Sequence, residues 1–308
     1  MRVMFWGTPE FAAPSLRALV GEGFDVCAVV TRPDKPVGRE RTLTQPPIKQ
    51  IALEESVPVF QPESPRDEDF QELLEAVAPD LSVVVAYGHI LPRAIIDLPR
   101  LGTVNIHASL LPALRGAAPI QAAIREGLTE TGVTIMRMVR ALDAGPILLQ
   151  SRTPVADDET YGELQGRLSE LGALALIEAL TLLDLGASTE RPQDDSLATY
   201  ARKVDRDTTR INWSLDARDV ANSIRAYDPR PGGWAVHRGA DVKLFGARRM
   251  FDRSGPAGEV LAADPEGLVV ACGEGAVRIC DVQPAGKRRM QAVDWHRGRG
   301  IGIGELLG

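Results

Sequence analysis

Over the first 185 residues, short runs of consecutive apolar residues alternate with segments whose apolar positions recur every three or four residues. Arg2–Trp6, Asp25–Val30, Val57–Phe60, Leu81–Ala86 and Val104–Ile106 predict strands. Phe11–Val20, Ile48–Glu55, Phe70–Val77 and Ala117–Arg125 predict the helices between them. Gly132–Met138 alternates with period two, and Pro146–Arg152 reads as a strand able to pair with it. Tyr161–Leu185 carries leucines at helical spacing and predicts a long helix. Strands such as LSVVVA, apolar on both faces, need cover on both sides, so the pattern predicts an α/β domain with a mostly parallel sheet. Sites in such sheets lie beyond the carboxyl ends of the strands.

The pattern then breaks. Residues 186–209 are polar, without a sustained apolar period, and read as a linker. Leu215–Ala226 predicts one more helix. After it come short apolar runs punctuated by glycine at Trp234–His237, Val242–Phe245, Gly258–Ala262, Leu268–Ala271 and Ala276–Val282, the pattern of a small β-barrel. The expected division is a first domain over residues 1–188, a linker over 189–207 and a second domain over 208–308.

Composition changes the picture in three ways. With 44% hydrophobic and 25% charged residues in 308, the chain can fill sizeable cores and is not a disordered one. No run of about 18 apolar residues is present, and the start MRVMFWGTPEF reads as strand and turn, so a cytoplasmic protein is expected. Cys27, Cys272 and Cys280 are odd in number and lack metal-ligand spacing, which fits a reducing compartment; Cys272 and Cys280 read as small core residues. The net charge of -7 hides an asymmetry: residues 1–200 carry 17 Lys and Arg against 28 Asp and Glu, whereas residues 201–308 carry 18 against 14. Separate tasks for the two parts are one reading, and a solvated basic face is the other.

The richest chemistry lies in TVNIHASLLP. Asn105 and His107 are two apart on a predicted strand and so share one face near its end. An amide donor beside an imidazole suits stabilising and protonating an acyl-transfer intermediate, although the same spacing also suits a satisfied buried pair. Asp143, in the turn ALDAGP, is able to orient an imidazole or simply to cap an Asx-turn. Gly7-Thr8-Pro9 is not a dinucleotide fingerprint, and no phosphate-binding P-loop is present. His89, His237 and His296 have no ligand-like neighbours in sequence.

Taken in order, FWGTPEFAAPSL, VVAYGHILP, NIHASLLPALRGAAPIQ and GVTIMRMVRALDAGPIL resemble the folate-dependent formyltransferases. TYARKVDRDTTRINWS, IRAYDPRPGGW and QPAGKRRM extend the resemblance through the second domain, toward the branch whose acceptor is methionyl-tRNA. The resemblance implies a Rossmann-like catalytic domain followed by an OB-like, tRNA-binding β-barrel. It implies 10-formyltetrahydrofolate as donor, the α-amino group of methionine on initiator tRNA as acceptor, and no metal; a monomer is expected. It assigns catalysis to Asn105, His107 and Asp143, and folate binding to Ser109, Leu110, Leu111 and Pro112 with Tyr87, Gly88, His89, Ile90 and Leu91. It assigns tRNA contacts to Lys35, Arg39, Arg41, Lys203, Lys287 and Arg288. Ala108 stands where many members carry Gly, and Leu114 where an aromatic residue is common. Relatives with amino-sugar nucleotide or glycinamide ribonucleotide acceptors stay open as alternatives, as does a catalytically silent RNA-binding protein.

Overall fold

The computed structural model describes residues 1–37, 42–250 and 252–308. In chain order the first elements are β1 (Arg2–Gly7), α1 (Ala13–Gly21), β2 (Asp25–Val30), β3 (Lys35–Val37), β4 (Thr42–Thr44), α2 (Pro47–Glu54), β5 (Val59–Phe60), α3 (Glu68–Val77), β6 (Leu81–Val85), α4 (Arg93–Ile96) and β7 (Thr103–His107). They continue with β8 (Arg115–Gly116), α5 (Pro119–Arg125), β9 (Glu130–Arg137), β10 (Ile147–Pro154), α6 (Tyr161–Asp184) and β11 (Tyr200–Ala201). The remainder is α7 (Ala217–Ala226), β12 (Gly233–His237), β13 (Ala240–Met250), β14 (Val260–Asp264), β15 (Gly267–Ala271), β16 (Ala276–Pro284), β17 (Met290–Gln291) and α8 (Ala292–Arg297).

The chain forms two compact units. The first comprises Met1–Gly116, Gly132–Thr153 and Gln165–Tyr200; the second comprises Ala117–Thr131, Pro154–Leu164 and Ala201–Gly308. The first unit is built on a seven-stranded sheet in the order β10-β9-β7-β6-β1-β2-β5. β1 pairs in parallel with β2 and β6, and β6 with β7, as the doubly apolar runs require. β9 joins β7 antiparallel, so the sheet is mixed at that side. On one face Trp6, Val30, Phe70, Leu74, Val84 and Tyr87 pack into a single core cluster. α3 starts where Asp67 accepts the amide of Asp69 at 3.1 Å and stops at Ala78, which is left-handed at φ 48°.

In the second unit an antiparallel sheet runs β12-β13-β16-β15-β14, with β17 on β16. α7, capped by Asp216 accepting from Asp219 N at 2.8 Å, buries Val220, Ala221 and Ile224 in the core shared with Leu244, Val277 and Ile279. Cys272 belongs to this core, and its burial pushes the thiol up to about 12. β13 is far longer than its apolar run predicts, because Arg248 and Arg249 continue the ladder opposite Arg278 and Val277. The sequence predicts a barrel; among the described residues no strand pairing joins β12 to β14. The last residues bridge both edges instead. Val236 and Gly308 exchange backbone hydrogen bonds of 2.6 and 2.8 Å, while Val260 N donates to Glu305 O and Leu307 N to Gly258 O, each at 2.9 Å. No helix among the described residues is long and apolar enough to cross a membrane.

Candidate active site

β7 ends at His107, between parallel β6 and antiparallel β9, and its register sets Asn105 opposite Val84 and Met136 and His107 opposite Thr134. Asn105 and His107 therefore face the same side of the sheet at the carboxyl end of β7. Asn105 is half-buried, and its amide makes no hydrogen bond to the described residues.

His107 is 6% exposed, hydrogen-bonded through one ring nitrogen and facing a carboxylate with the other. Nε2 lies 2.9 Å from the carbonyl oxygen of Leu114. A carbonyl only accepts, so Nε2 carries the hydrogen and donates. Nδ1 faces Asp143, with Oδ2 3.8 Å away. That separation is too long for a direct hydrogen bond and near the outer limit of an ion pair, which exists only when the imidazole is protonated. The Leu114 carbonyl is aimed by an unusual backbone: Leu114 is left-handed at φ 59°, buried, and its amide donates to Thr199 Oγ1 at 2.9 Å. Asp143 is also left-handed, at φ 50°, a conformation that Asp tolerates better than most residues. Its Oδ2 accepts the amide of Gly116 at 2.8 Å.

The loop from Ser109 to Pro112 is fixed through Thr134. Thr134 Oγ1 donates to Ser109 O at 2.6 Å, and accepts from Leu111 N at 3.1 Å and Gln150 Nε2 at 3.0 Å. Gln150 Nε2 also donates to Leu111 O at 2.9 Å, and Ser109 Oγ to Ala113 O at 2.6 Å. Leu111 packs with Met136 and Ile147, and the Leu111–Pro112 peptide is cis.

Beyond β6, Tyr87 is buried with its ring edge-on to Trp6 at 5.2 Å and 5.6 Å from the His89 ring. Burial pushes the phenol up to about 12. Leu91 is buried, whereas Ile90 is 81% exposed. Leu142, beside Asp143, is 63% exposed. Lys35, Lys203, Lys287 and Arg288 are all exposed, and Arg39 and Arg41 lie outside the described residues.

Sequence reasoning missed the residues that hold this arrangement. Gln193 and Thr199 sit in the stretch read as linker. Gln193 Nε2 donates to Asp143 O at 2.8 Å and Gly145 O at 2.7 Å, while its Oε1 accepts from Arg115 Nη2 at 2.8 Å. Arg115 also pairs with Asp195 at 2.7 Å. The polar composition of residues 186–209 concealed them.

Residues 1–180 match the family described as Formyl transferase, and residues 203–300 match Formyl transferase, C-terminal domain. A protein of Aromatoleum aromaticum called methionyl-tRNA formyltransferase is 47% identical over 99% of this chain and 96% of its own. One of the same description from Methylococcus capsulatus is 46% identical over 100% of both chains. Among solved structures, HypX from Aquifex aeolicus in complex with tetrahydrofolic acid superposes with a TM-score of 0.67 at 21% identity, over 99% of this chain. The match spans about half of HypX, 48% of that chain, and likens the two in fold alone. With both regions matched and relatives this similar over their full length, the chain belongs to the formyl transferase family.

Proposed function

We propose that this chain transfers a formyl group from 10-formyltetrahydrofolate to the α-amino group of methionine on initiator methionyl-tRNA, with Asn105, His107 and Asp143 as its catalytic residues. The observation that carries the reading is the His107–Asp143 pair at 3.8 Å, at the carboxyl end of β7, in a chain similar over its full length to proteins named for this activity.

The residues present fit a folate. Ile90 and Leu142 are large apolar side chains left exposed on loops of the first unit, and exposed apolar surface of this kind suits contact with a flat ring system. Leu110 to Pro112 form the rigid wall held by Thr134 and Gln150. The donor supplies an activated formyl group on N10. The chain supplies the rest. Asn105 offers an uncommitted amide N–H to the formyl oxygen as negative charge develops there. With Nε2 committed to Leu114, Nδ1 is the His107 nitrogen that exchanges a proton. When Nδ1 is protonated, Asp143 balances the imidazolium charge, and Gly116 N–H keeps the carboxylate aimed. The acceptor amine has to be neutral to attack, and α-amino groups lose their proton near pH 8. As its nitrogen bonds the formyl carbon, the bond from that carbon to N10 breaks, and the proton the amine sheds passes by way of His107 Nδ1 to the departing nitrogen.

The test supplies 10-formyltetrahydrofolate labelled in the formyl group together with methionyl-tRNA, an amino-sugar nucleotide or glycinamide ribonucleotide. Label on methionyl-tRNA alone is expected. Label on the sugar nucleotide or glycinamide ribonucleotide, with none on methionyl-tRNA, overturns the acceptor.

A further inference from the structure

Three polar side-chain atoms at the carboxyl ends of β2 and β6, the hydroxyl of Thr31 among them, are buried without partners among the described residues. The other two are Nε of Arg32 and the hydroxyl of Tyr87. Buried polar atoms are nearly always satisfied, so two orphans in one neighbourhood call for a ligand. That they share a neighbourhood follows from two facts. The Arg32 charge acts on the Tyr87 phenol. The Arg32 guanidinium also lies against Gly88, where a Cβ would meet its Nη1 at 3.5 Å.

The surroundings hold Arg32 in place, and no acid among the described residues pairs with its charge. The nearest acid in sequence, Asp34, is engaged by Lys49 Nζ at 2.8 Å and by Gln61 Nε2 at 2.8 Å. Gln61 also donates to the Arg32 carbonyl at 2.9 Å, which pins the backbone. Thr8 Oγ1 donates to Tyr87 O at 3.0 Å, tying the turn after β1 to the one after β6. The Tyr87 phenol keeps its proton at neutral pH, so both orphans are donors. A guanidinium and a phenol in one neighbourhood match an anionic, multi-oxygen group.

We propose that Arg32 and Tyr87 form an anion subsite for the acceptor, holding the phosphate that joins its terminal nucleotide to the preceding one. The proposal rests on methionyl-tRNA being the acceptor. Distance supports it. In the order β7-β6-β1-β2, adjacent strands lie about 5 Å apart, so the subsite spans roughly 5–14 Å from the strand bearing His107. In methionyl-tRNA eight covalent bonds separate the reacting amine from the 5′-phosphorus of the terminal adenosine, a reach of about 9 Å.

The experiment compares natural methionyl-tRNA with methionyl-tRNA whose last internucleotide phosphate is a neutral methylphosphonate, in the wild type, Arg32→Gln and Tyr87→Phe. In the wild type the neutral linkage lowers kcat/KM by about tenfold or more, the scale of losing a hydrogen bond to a charged group. In Arg32→Gln the natural acceptor already shows that loss, and the neutral linkage adds little further, as coupled groups require. Tyr87→Phe removes only the hydroxyl and shows a smaller loss that also shrinks on the neutral linkage. The dissociation constant of 5-formyltetrahydrofolate stays unchanged in Arg32→Gln, while Tyr87, which the resemblance also places at the folate, is judged by its dependence on the acceptor linkage alone. Losses that are equal on both acceptors overturn the subsite by making the two residues merely structural. Weakened folate binding in Arg32→Gln overturns it by assigning the guanidinium to the glutamate carboxylates of folate. A wild type that formylates no methionyl-tRNA overturns the acceptor itself, and the subsite with it.

Discussion

Asp143 faces His107 with the same oxygen that accepts the Gly116 amide: Oδ2 lies 3.8 Å from His107 Nδ1 and 2.8 Å from Gly116 N. The carboxylate thus has a structural tether and an electrostatic task, and substitution separates them. An asparagine amide oxygen still accepts from Gly116 but carries no charge. Asp143→Asn is expected to unfold within about 1 kcal/mol of the wild type, while kcat falls by about 10²-fold or more. Asp143→Ala loses the tether as well and is expected to lose both stability and turnover. Urea denaturation beside steady-state formylation separates the two, and a fully active Asp143→Asn enzyme removes Asp143 from the mechanism.

Gln193 carries the turn on which Asp143 sits, because its amide nitrogen serves the carbonyls of Asp143 and Gly145 while its oxygen serves Arg115. Gln193→Ala leaves these groups unsatisfied and is expected to cost about 1–3 kcal/mol of stability. Gln193→Glu is the sharper probe. It keeps, and by charge strengthens, the contact with Arg115, yet sets an oxygen against two carbonyl oxygens. Its thermal midpoint is expected to fall as well, with kcat of the folded protein reduced about tenfold by displacement of the catalytic carboxylate. Unchanged kcat in Gln193→Glu shows that the turn does not depend on this contact.

What the sequence disclosed and what it concealed divide along physical lines. The parallel strands were legible because burial on both faces leaves uninterrupted apolar runs such as Leu81–Val85. Asn105 and His107 were legible as a same-face pair because strand periodicity is two. Their meeting with Asp143 was not, since it depends on β9 returning antiparallel beside β7, a long-range pairing that leaves no local mark. Gln193 and Thr199 were concealed for a related reason. Polar residues that satisfy buried backbone groups look, in sequence, like polar residues in a solvated linker. The length of β13 was missed because Arg248 and Arg249 extend a ladder without lengthening its apolar run.

Asp34 gives a pH dependence of definite sign. Hydrogen bonds from Gln61 and then Lys49 hold its carboxyl below the ordinary carboxylate range. A group whose folded pKa is depressed contributes stability above its unfolded pKa, and that contribution is lost as pH falls through the folded value. Asp34→Asn is therefore expected to be less stable than the wild type at pH 7. The gap should close as pH drops below about 4, where the wild-type carboxyl takes up its proton. Chemical denaturation at a series of pH values reads this directly, and a gap independent of pH rules out the carboxylate charge as its source.

Adjacent cations near the end of β16 differ in what they already hold. Arg289 pairs with Asp228 at 3.0 Å and Asp281 at 2.9 Å, and its guanidinium lies 4.2 Å from the centre of the Phe245 ring. Asp228 is 4% exposed, so removing Arg289 strands a buried carboxylate and is expected to cost about 3 kcal/mol of stability. Lys287 and Arg288, like Lys203, are exposed and make no ion pair with the described residues. Uncommitted cations are the ones free to neutralise phosphates. Lys203→Ala, Lys287→Ala and Arg288→Ala are each expected to leave stability unchanged, weaken tRNA binding, and reduce the slope of log affinity against log salt by about 1. Arg289→Ala, compared under conditions where it remains folded, is expected to keep the wild-type slope. A salt titration of tRNA affinity across the four variants decides the assignment. If the slope changes in Arg289→Ala but not in the other three, the tRNA contact runs through the paired arginine and not through its free neighbours.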